Sequence, residues 1–154
     1  MERVFLGLGS NIGDRAANIG RARRLLEEVA GVRVVGMSSL IETRPVGYED
    51  QPDFINAALE IETTLEPRGL LTQIKRIERE IGRKETFRFG PRVIDIDILL
   101  FGDRLVDDPG LTIPHPRMHE RRFVLGPLAE IAPEVVHPVL KTRIIDLLDQ
   151  LDSG

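Results

Sequence analysis

The chain has 154 residues and no cysteine, and its formal net charge at pH 7 is −4. This length suffices for one domain with a proper core, so residues 1–154 are predicted to form a single domain. The negative charge argues against a general nucleic-acid or anionic-membrane surface, and the missing cysteines exclude disulfides, zinc–thiolate sites and a thiol nucleophile. Because the N-terminus lacks a signal-peptide layout and no apolar run reaches membrane-spanning length, a cytoplasmic protein is expected.

Strands and helices alternate in the predicted order of elements. Asp14 can cap a helix whose apolar residues recur at helical spacing until a stop at Gly31. Pro67 suits the first turn of a second helix, which ends at Gly82. Strands are predicted over residues 3–8, 32–43 and 53–64 and in an apolar run ending near residue 102; the tail is predicted to be irregular over residues 111–116, partly helical over residues 119–132 and helical over residues 142–151.

The order βαββαβ followed by a tail is typical of a ferredoxin-like fold. We therefore predict an α+β sandwich with a C-terminal extension, in which both helices pack on one face of an antiparallel sheet. Strand alternation places Phe54 and Asn56 on the other face, together with Asp95 and Asp97. An aromatic ring there can stack on a flat ligand and a carboxamide can bind its edge, although core packing and a turn are the alternatives for such residues.

The two aspartates predict a metal site. Neighbouring carboxylates repel each other and are costly to bury uncompensated, and Mg²⁺ is the typical cation for oxygen ligands. A basic loop containing Arg83 and Arg92 precedes them, and phosphoryl-type transfer requires metal ligands beside cations. The alternative is a pair of salt-bridged or solvated aspartates on an exposed sheet face. We interpret the combination as a polyphosphate site.

Several other residues have both a functional and a structural interpretation. The GSNIG turn at residues 9–13 can bind an anion at the start of a helix, or it is a tight strand-to-helix turn; it lacks the ending of a P-loop. His115, between two prolines, is a phosphate or metal ligand, or a structural loop residue. Arg121 reaches the same anionic site, or it is solvated at a helix start. His119 and His137 lack a supporting pattern and are expected at the surface.

Three motifs resemble those of a known enzyme family. They are QPDFINA at residues 51–57, GPRVIDID at residues 90–97 and LTIPH at residues 111–115, followed by Arg121 and Phe123. The chain is similar over nearly its whole length to the 6-hydroxymethyl-7,8-dihydropterin pyrophosphokinases of the folate pathway. The resemblance implies a ferredoxin-like α+β sandwich. It also implies transfer of the β,γ-pyrophosphoryl group of ATP to the hydroxymethyl oxygen of the dihydropterin, which releases AMP.

The resemblance further implies roles for individual residues. Two Mg²⁺ ions are expected at Asp95 and Asp97, which form the implied catalytic set with Arg83 and Arg92. The implied pterin-pocket residues are Thr43, Pro45, Phe54, Asn56 and Phe123, and the implied ATP contacts are Glu78, Arg83, Arg92, His115 and Arg121. The chain departs from the family at Phe89, where tryptophan is common, and in a slightly short loop before it. No nucleic-acid or membrane partner is implied, and a monomer is expected.

Two other functions compete with this interpretation. A nucleotidyltransferase also combines a Gly-Ser pair with an Asp-x-Asp motif, but there the aspartates follow closely, whereas here they lie far downstream. A ferredoxin-like domain that binds a ligand without catalysis would tolerate loss of Asp97. Products separate the three functions, because pyrophosphoryl transfer releases AMP, nucleotidyl transfer releases pyrophosphate and a binding domain releases neither.

Overall fold

The structure of the protein is a computed structural model that describes residues 1–45, 50–82 and 92–153. Five strands form one antiparallel sheet: β1 (Glu2–Ser10), β2 (Val32–Met37), β3 (Ile41–Thr43), β4 (Phe54–Thr63) and β5 (Asp95–Phe101). The strand order is β2-β4-β1-β5, and β3 also pairs with β4. The helices are α1 (Arg15–Glu27), α2 (Pro67–Ile81), α3 (Arg122–Ile131) and α4 (Ile144–Ser153), and a hairpin of β6 (Val106–Asp108) and β7 (Leu111–Ile113) follows β5. The predicted α+β fold with an antiparallel sheet is confirmed.

Helix α1 begins as the sequence predicts but ends at Glu27, before the predicted stop at Gly31, whereas α2 both begins and ends where predicted. The side chain of Asp14 caps α1 by accepting the backbone N–H of Ala17 at 3.1 Å. Pro67 occupies the first turn of α2, and Gly82 ends that helix with a φ of 111°, a conformation that favours glycine. Both helices bury apolar residues against one face of the sheet, in a core that also contains Ile96. This face therefore has the helical cover that was predicted.

The opposite face of the sheet is partly covered by the C-terminal helices. Leu125 of α3 and Leu147 of α4 are buried in a second core with Phe5. A bulge in β5 helps to form this core: Leu6 pairs with Ile98 and Phe5 with Leu100, so that Leu99 and Leu100 both pack into it. The prediction of helices on one face thus holds for α1 and α2, while α3 and α4 lie on the other face and leave one end of it open.

The predicted strand over residues 32–43 is two strands. Ser38 separates β2 from β3, because its backbone N–H donates to the carbonyl oxygen of Ala58 at 2.9 Å while its Oγ accepts the N–H of Ala58 at 2.8 Å. The hydroxyl therefore replaces a backbone acceptor in the sheet. The irregular stretch predicted over residues 111–116 is also different, since its first three residues form β7.

The prediction that His137 lies at the surface is wrong. Its exposed fraction is 4%, and its Nδ1 accepts the backbone N–H groups of Val139 and Leu140 at 3.2 and 3.1 Å. Burial lowers the pKa of His137, which keeps the ring neutral and able to accept these bonds. His137 therefore stabilises a turn. Within the described ranges, no helix has both the length and the apolar character of a membrane span.

Candidate active site

The open end of the second sheet face forms a pocket of about 310 Å³ beside α3. Nine of the residues predicted for the site line it: Thr43, Phe54, Asn56, Arg92, Asp95, Asp97, His115, Arg121 and Phe123. Pro45 is buried but does not line the pocket, and neither does Glu78. Arg83 and Phe89 lie outside the described residues. The structure thus brings the predicted aromatic, amide, acidic and basic groups together.

Two glycines of β1 form the base of the pocket. Gly9 lies opposite Asn56 of β4 on one side and opposite Asp95 of β5 on the other. Gly7 lies opposite Asp97 in the next row. Because β1 has no side chains at these two positions, a ligand can approach the sheet backbone between the amide and the carboxylates. Sequence reasoning missed this pair, although glycines at alternate positions of a strand were a readable signal.

One side of the pocket can hold a flat, polar ring. Phe54 of β4 and Phe123 of α3 both line it, so aromatic surfaces come from two different elements. Nδ2 of Asn56 donates a hydrogen bond to Oγ1 of Thr43, which orients the carboxamide. Arg44 also lines this side and was not predicted. Stacking surfaces beside an oriented amide are suited to a heterocycle with donors and acceptors on its edge.

The other side of the pocket contains the two aspartates. The pKa of Asp97 is raised to about 7, chiefly by burial and then by the charge of Asp95; Glu78 adds to the rise, while Arg121 and Lys75 oppose it. A cation bound beside such a carboxylate would stabilise its ionised form. Within the ranges that the structure describes, no cluster has three or more acidic, histidine or cysteine ligands. Two carboxylates with space for other oxygen ligands suit Mg²⁺, which keeps waters and substrate phosphates in its coordination shell.

Glu78 supports the strand between these aspartates. Its carboxylate is buried, and Oε2 accepts the backbone N–H of Ile96, the residue between Asp95 and Asp97, at 2.9 Å. Nζ of Lys75 lies 3.4 Å from the other carboxylate oxygen. The bond to Ile96 therefore fixes the backbone of β5 between the two aspartates. The predicted contact of Glu78 with ATP stays a prediction.

Cationic and neutral donors complete the acidic side. The guanidinium of Arg121 lies 5.6 Å from the centroid of the Phe123 ring. Burial, followed by the charge of Arg121, lowers the pKa of His115 to about 4, so that His115 is neutral at pH 7. Its Nδ1 accepts the backbone N–H of Arg117 at 3.2 Å, which leaves the proton on Nε2. His115 can therefore donate one hydrogen bond, and Arg92 and Arg121 can bind an anion through planar forks.

The chain is similar to one protein family over most of its length. The sequence profile described as 7,8-dihydro-6-hydroxymethylpterin-pyrophosphokinase matches residues 5–133. The 2-amino-4-hydroxy-6-hydroxymethyldihydropteridine pyrophosphokinase of Bacillus subtilis is 51% identical over 132 residues, covering 86% of this chain and 79% of that protein. The enzyme of the same name from Aquifex aeolicus is 45% identical over 141 residues, covering 92% of this chain and 87% of that protein.

Solved structures show the same fold. The wild-type Plasmodium falciparum HPPK-DHPS with pteroate superposes with a TM-score of 0.78 at 21% identity, covering 99% of this chain. This chain spans only 42% of that longer protein. At this identity the likeness concerns the fold alone.

Proposed function

This chain belongs to the 7,8-dihydro-6-hydroxymethylpterin-pyrophosphokinase family, and we infer from this premise that it transfers the pyrophosphoryl group of ATP to 6-hydroxymethyl-7,8-dihydropterin in folate biosynthesis. The acceptor is the hydroxymethyl oxygen, and the products are AMP and the dihydropterin diphosphate. One observation carries the assignment of the site: a single pocket combines an aromatic and amide side with an acidic and basic side. These two sides match the two substrates of the transfer.

In our proposal Asp95 and Asp97 hold Mg²⁺, with two ions expected. The pair fits this role because the two half-buried carboxylates lie next to each other on one wall of the pocket. Mg²⁺ is usually bound by one or two carboxylates and takes its other ligands from water and substrate phosphates, which agrees with the lack of a cluster of three such ligands among the described residues. When bound, Mg²⁺ would neutralise charge on the polyphosphate of ATP. Glu78 would keep the two carboxylates at their places on β5 through its bond to Ile96.

Arg92, His115 and Arg121 are proposed to bind the phosphates of ATP. The two guanidiniums can each donate paired hydrogen bonds to phosphate oxygens, and the neutral imidazole can donate a single one. Arg83 keeps the same proposed role, although it lies outside the described residues. These groups would orient the pyrophosphoryl group toward the acceptor and stabilise the charge that develops during its transfer.

Phe54 and Phe123 are proposed to stack on the pterin, while Asn56 binds its edge and Thr43 fixes the orientation of that amide. Pro45 would support this half of the pocket from its buried position. The pterin plane would then direct its hydroxymethyl group toward the acidic side. No contact among the described residues identifies a general base.

The products of the reaction test the function. With ATP, Mg²⁺ and the reduced pterin alcohol, the wild-type protein should release one AMP for each pterin diphosphate formed. Release of pyrophosphate with a nucleotidylated pterin would instead identify a nucleotidyltransferase. If neither product formed while the pterin still bound, the protein would be a non-catalytic binding domain. Family membership favours the first result over both competitors.

A monomer in the cytoplasm is the proposed working form. The use of ATP as donor supports the cytoplasmic location.

Gly9→Ala should weaken pterin binding. A Cβ at Gly9 would lie 2.9 Å from Oδ1 of Asn56 and 3.6 Å from Cδ1 of Phe54, so the carboxamide must move. We expect the KM for the pterin to rise roughly tenfold, equivalent to ~1.4 kcal/mol of binding free energy. Gly36→Ala is the matched control. Gly36 lies on β2, another strand of the same sheet, and a Cβ there would meet no atom within 4 Å. Equal KM values for the two variants would contradict the proposed position of the pterin.

A further inference from the structure

Asn11 joins separate parts of the chain through one buried side chain. Its exposed fraction is 1%, and its Nδ2 donates to Oε1 of Gln51 at 2.8 Å and to the carbonyl oxygen of Pro52 at 3.0 Å. Its Oδ1 accepts the backbone N–H of Arg92 at 2.8 Å, and its own backbone N–H donates to the carbonyl oxygen of Arg92 at 3.0 Å. The carboxamide therefore uses both donor hydrogens and its acceptor within the protein.

The partners of Asn11 lie next to the two halves of the pocket. Pro52 precedes Phe54 by two residues, and Phe54 lines the half proposed for the pterin. Arg92 lines the half proposed for the phosphates. Asn11 directly follows β1. Because β1 is an inner strand that pairs with a strand on each side, it holds the backbone of Asn11 in place. One carboxamide thus bonds both halves to the same rigid strand.

Asn11 is not itself a ligand contact in the described structure. It does not line the pocket, and its polar hydrogens are directed to Gln51 and Pro52. This arrangement favours the structural interpretation of the turn at residues 9–13 over an anion site. A role of Asn11 in the reaction must therefore act through the residues that it bonds.

We propose that Asn11 is a positioning residue that sets the separation between the pterin half and the phosphate half of the pocket. The proposal rests on the proposed function, because these halves are assigned to the two substrates of the transfer. A carboxamide suits the task because it presents donors and an acceptor on one planar group. Loss of any of its buried bonds leaves a polar group unpaired, so the alternatives to this geometry are unfavourable. Reaction between two bound substrates is sensitive to displacements of about 1 Å.

The first test compares Asn11→Ala with Asn18→Ala in the full chain. Asn18 is the control, because its Nδ2 donates to Oγ of Ser10 and to the carbonyl oxygens of Ile12 and Val93, none of which belongs to Arg92 or Pro52. Both variants should lose thermal stability. Only Asn11→Ala should lower kcat/KM for both substrates, by about ten- to a hundred-fold. If the two variants had equal kinetic parameters, Asn11 would have only a structural role and the proposal would be overturned.

A double-mutant cycle with Arg92→Ala supplies a readout that a loss of stability alone would not change. If Asn11 acts on the phosphate side through Arg92, then Asn11→Ala should reduce kcat/KM for ATP strongly in the wild-type background. In the Arg92→Ala background the further reduction should be less than about threefold. Additive losses would overturn the proposed connection to Arg92.

Asn11→Asp keeps the test decisive if Asn11→Ala does not fold. The carboxylate retains an acceptor for the N–H of Arg92 but loses both donor bonds, to Gln51 and Pro52. The KM for the pterin should rise about tenfold while the KM for ATP stays within about threefold. Equal losses for the two substrates would overturn the proposal. Because every value is relative to wild-type AMP formation, a wild type that forms no AMP would instead refute the function.

Discussion

Replacing Asp97 with asparagine is expected to lower kcat for AMP formation by about a thousand-fold or more. The amide keeps the shape of the side chain but removes one of the two negative charges proposed to hold Mg²⁺. Binding of the pterin should change less than about threefold, because the aromatic and amide contacts lie on the other side of the pocket. The measurement is AMP release at saturating ATP over a series of Mg²⁺ concentrations, together with pterin titration calorimetry. Asp107→Asn, at an exposed position of β6, is the control and should match the wild type.

The same substitution should stabilise the metal-free protein, which separates loss of activity from loss of folding. Asp97 ionises near pH 7 in the folded chain but has an ordinary pKa of 3.8. The unfolded chain therefore releases this proton first, and the free energy of unfolding decreases as the pH rises through this window. Asparagine does not ionise, so Asp97→Asn should raise the free energy of unfolding at pH 8 by about 2 to 4 kcal/mol in urea titrations with a chelator. The gain should shrink as the pH falls toward 4. A variant less stable than the wild type at pH 8 would show that burial does not disfavour the Asp97 carboxylate.

Arg121→Ala is the second large effect and should lower kcat by about a hundred- to a thousand-fold. Arg121 lines the pocket, and its charge reaches both acidic and imidazole groups there, because it lowers the pKa of Asp97 and of His115. Its contact with the Phe123 ring holds the guanidinium between the sites proposed for the two substrates. Steady-state AMP formation and the Kd of a non-hydrolysable ATP analogue would show whether the loss arises in transfer or in binding.

Two further variants test the geometry of Arg121. Arg121→Lys keeps the charge but loses the planar fork, so it should recover only part of the activity and stay about tenfold below the wild type. Arg122→Ala is the matched control at the next position, since Arg122 is exposed, pairs with Asp152 and does not line the pocket. Its kcat should stay within about twofold of the wild type. If Arg122→Ala matched Arg121→Ala, the effect would come from a disturbed start of α3 rather than from the lost guanidinium of Arg121.

Local patterns in the sequence were sufficient to predict the elements that face the site. Strand alternation placed Phe54 and Asn56 on the sheet face opposite α1 and α2, and it placed Asp95 and Asp97 on the same face. Alternation is a property of each strand alone, so it can be read without knowing the neighbours of the strand. The cap at Asp14 and the stop of α2 at Gly82 were predictable for the same reason, since both depend on residues within one turn.

Contacts between distant residues could not be read in this way. Asn11 bonds partners that are 40 and 81 positions away in the chain, and the sequence of the turn gave equal support to an anion site. His137 was expected at the surface because no sequence pattern supported another role. Its ring accepts bonds from residues two and three positions away, so the conformation of this turn, rather than a distant segment, defines its role. The role of Gly7 and Gly9 as the base of the pocket could be recognised only from the strands that pair with β1 on either side.

The amino-acid sequence alone was enough for the fold class, for the sheet face of Phe54, Asn56, Asp95 and Asp97 and for the kinds of groups at the site, because these depend on local periodicity and residue chemistry. Tertiary structure decided which strands are neighbours, and thereby the row in which Gly9 separates Asn56 from Asp95. It also decided that α3 and α4 cover part of the second face and leave the pocket open at one end. The positions of the site residues relative to one another depend on strand register, on a bulge at Leu99 and on buried bonds between distant segments. Such features arise only when the whole chain packs.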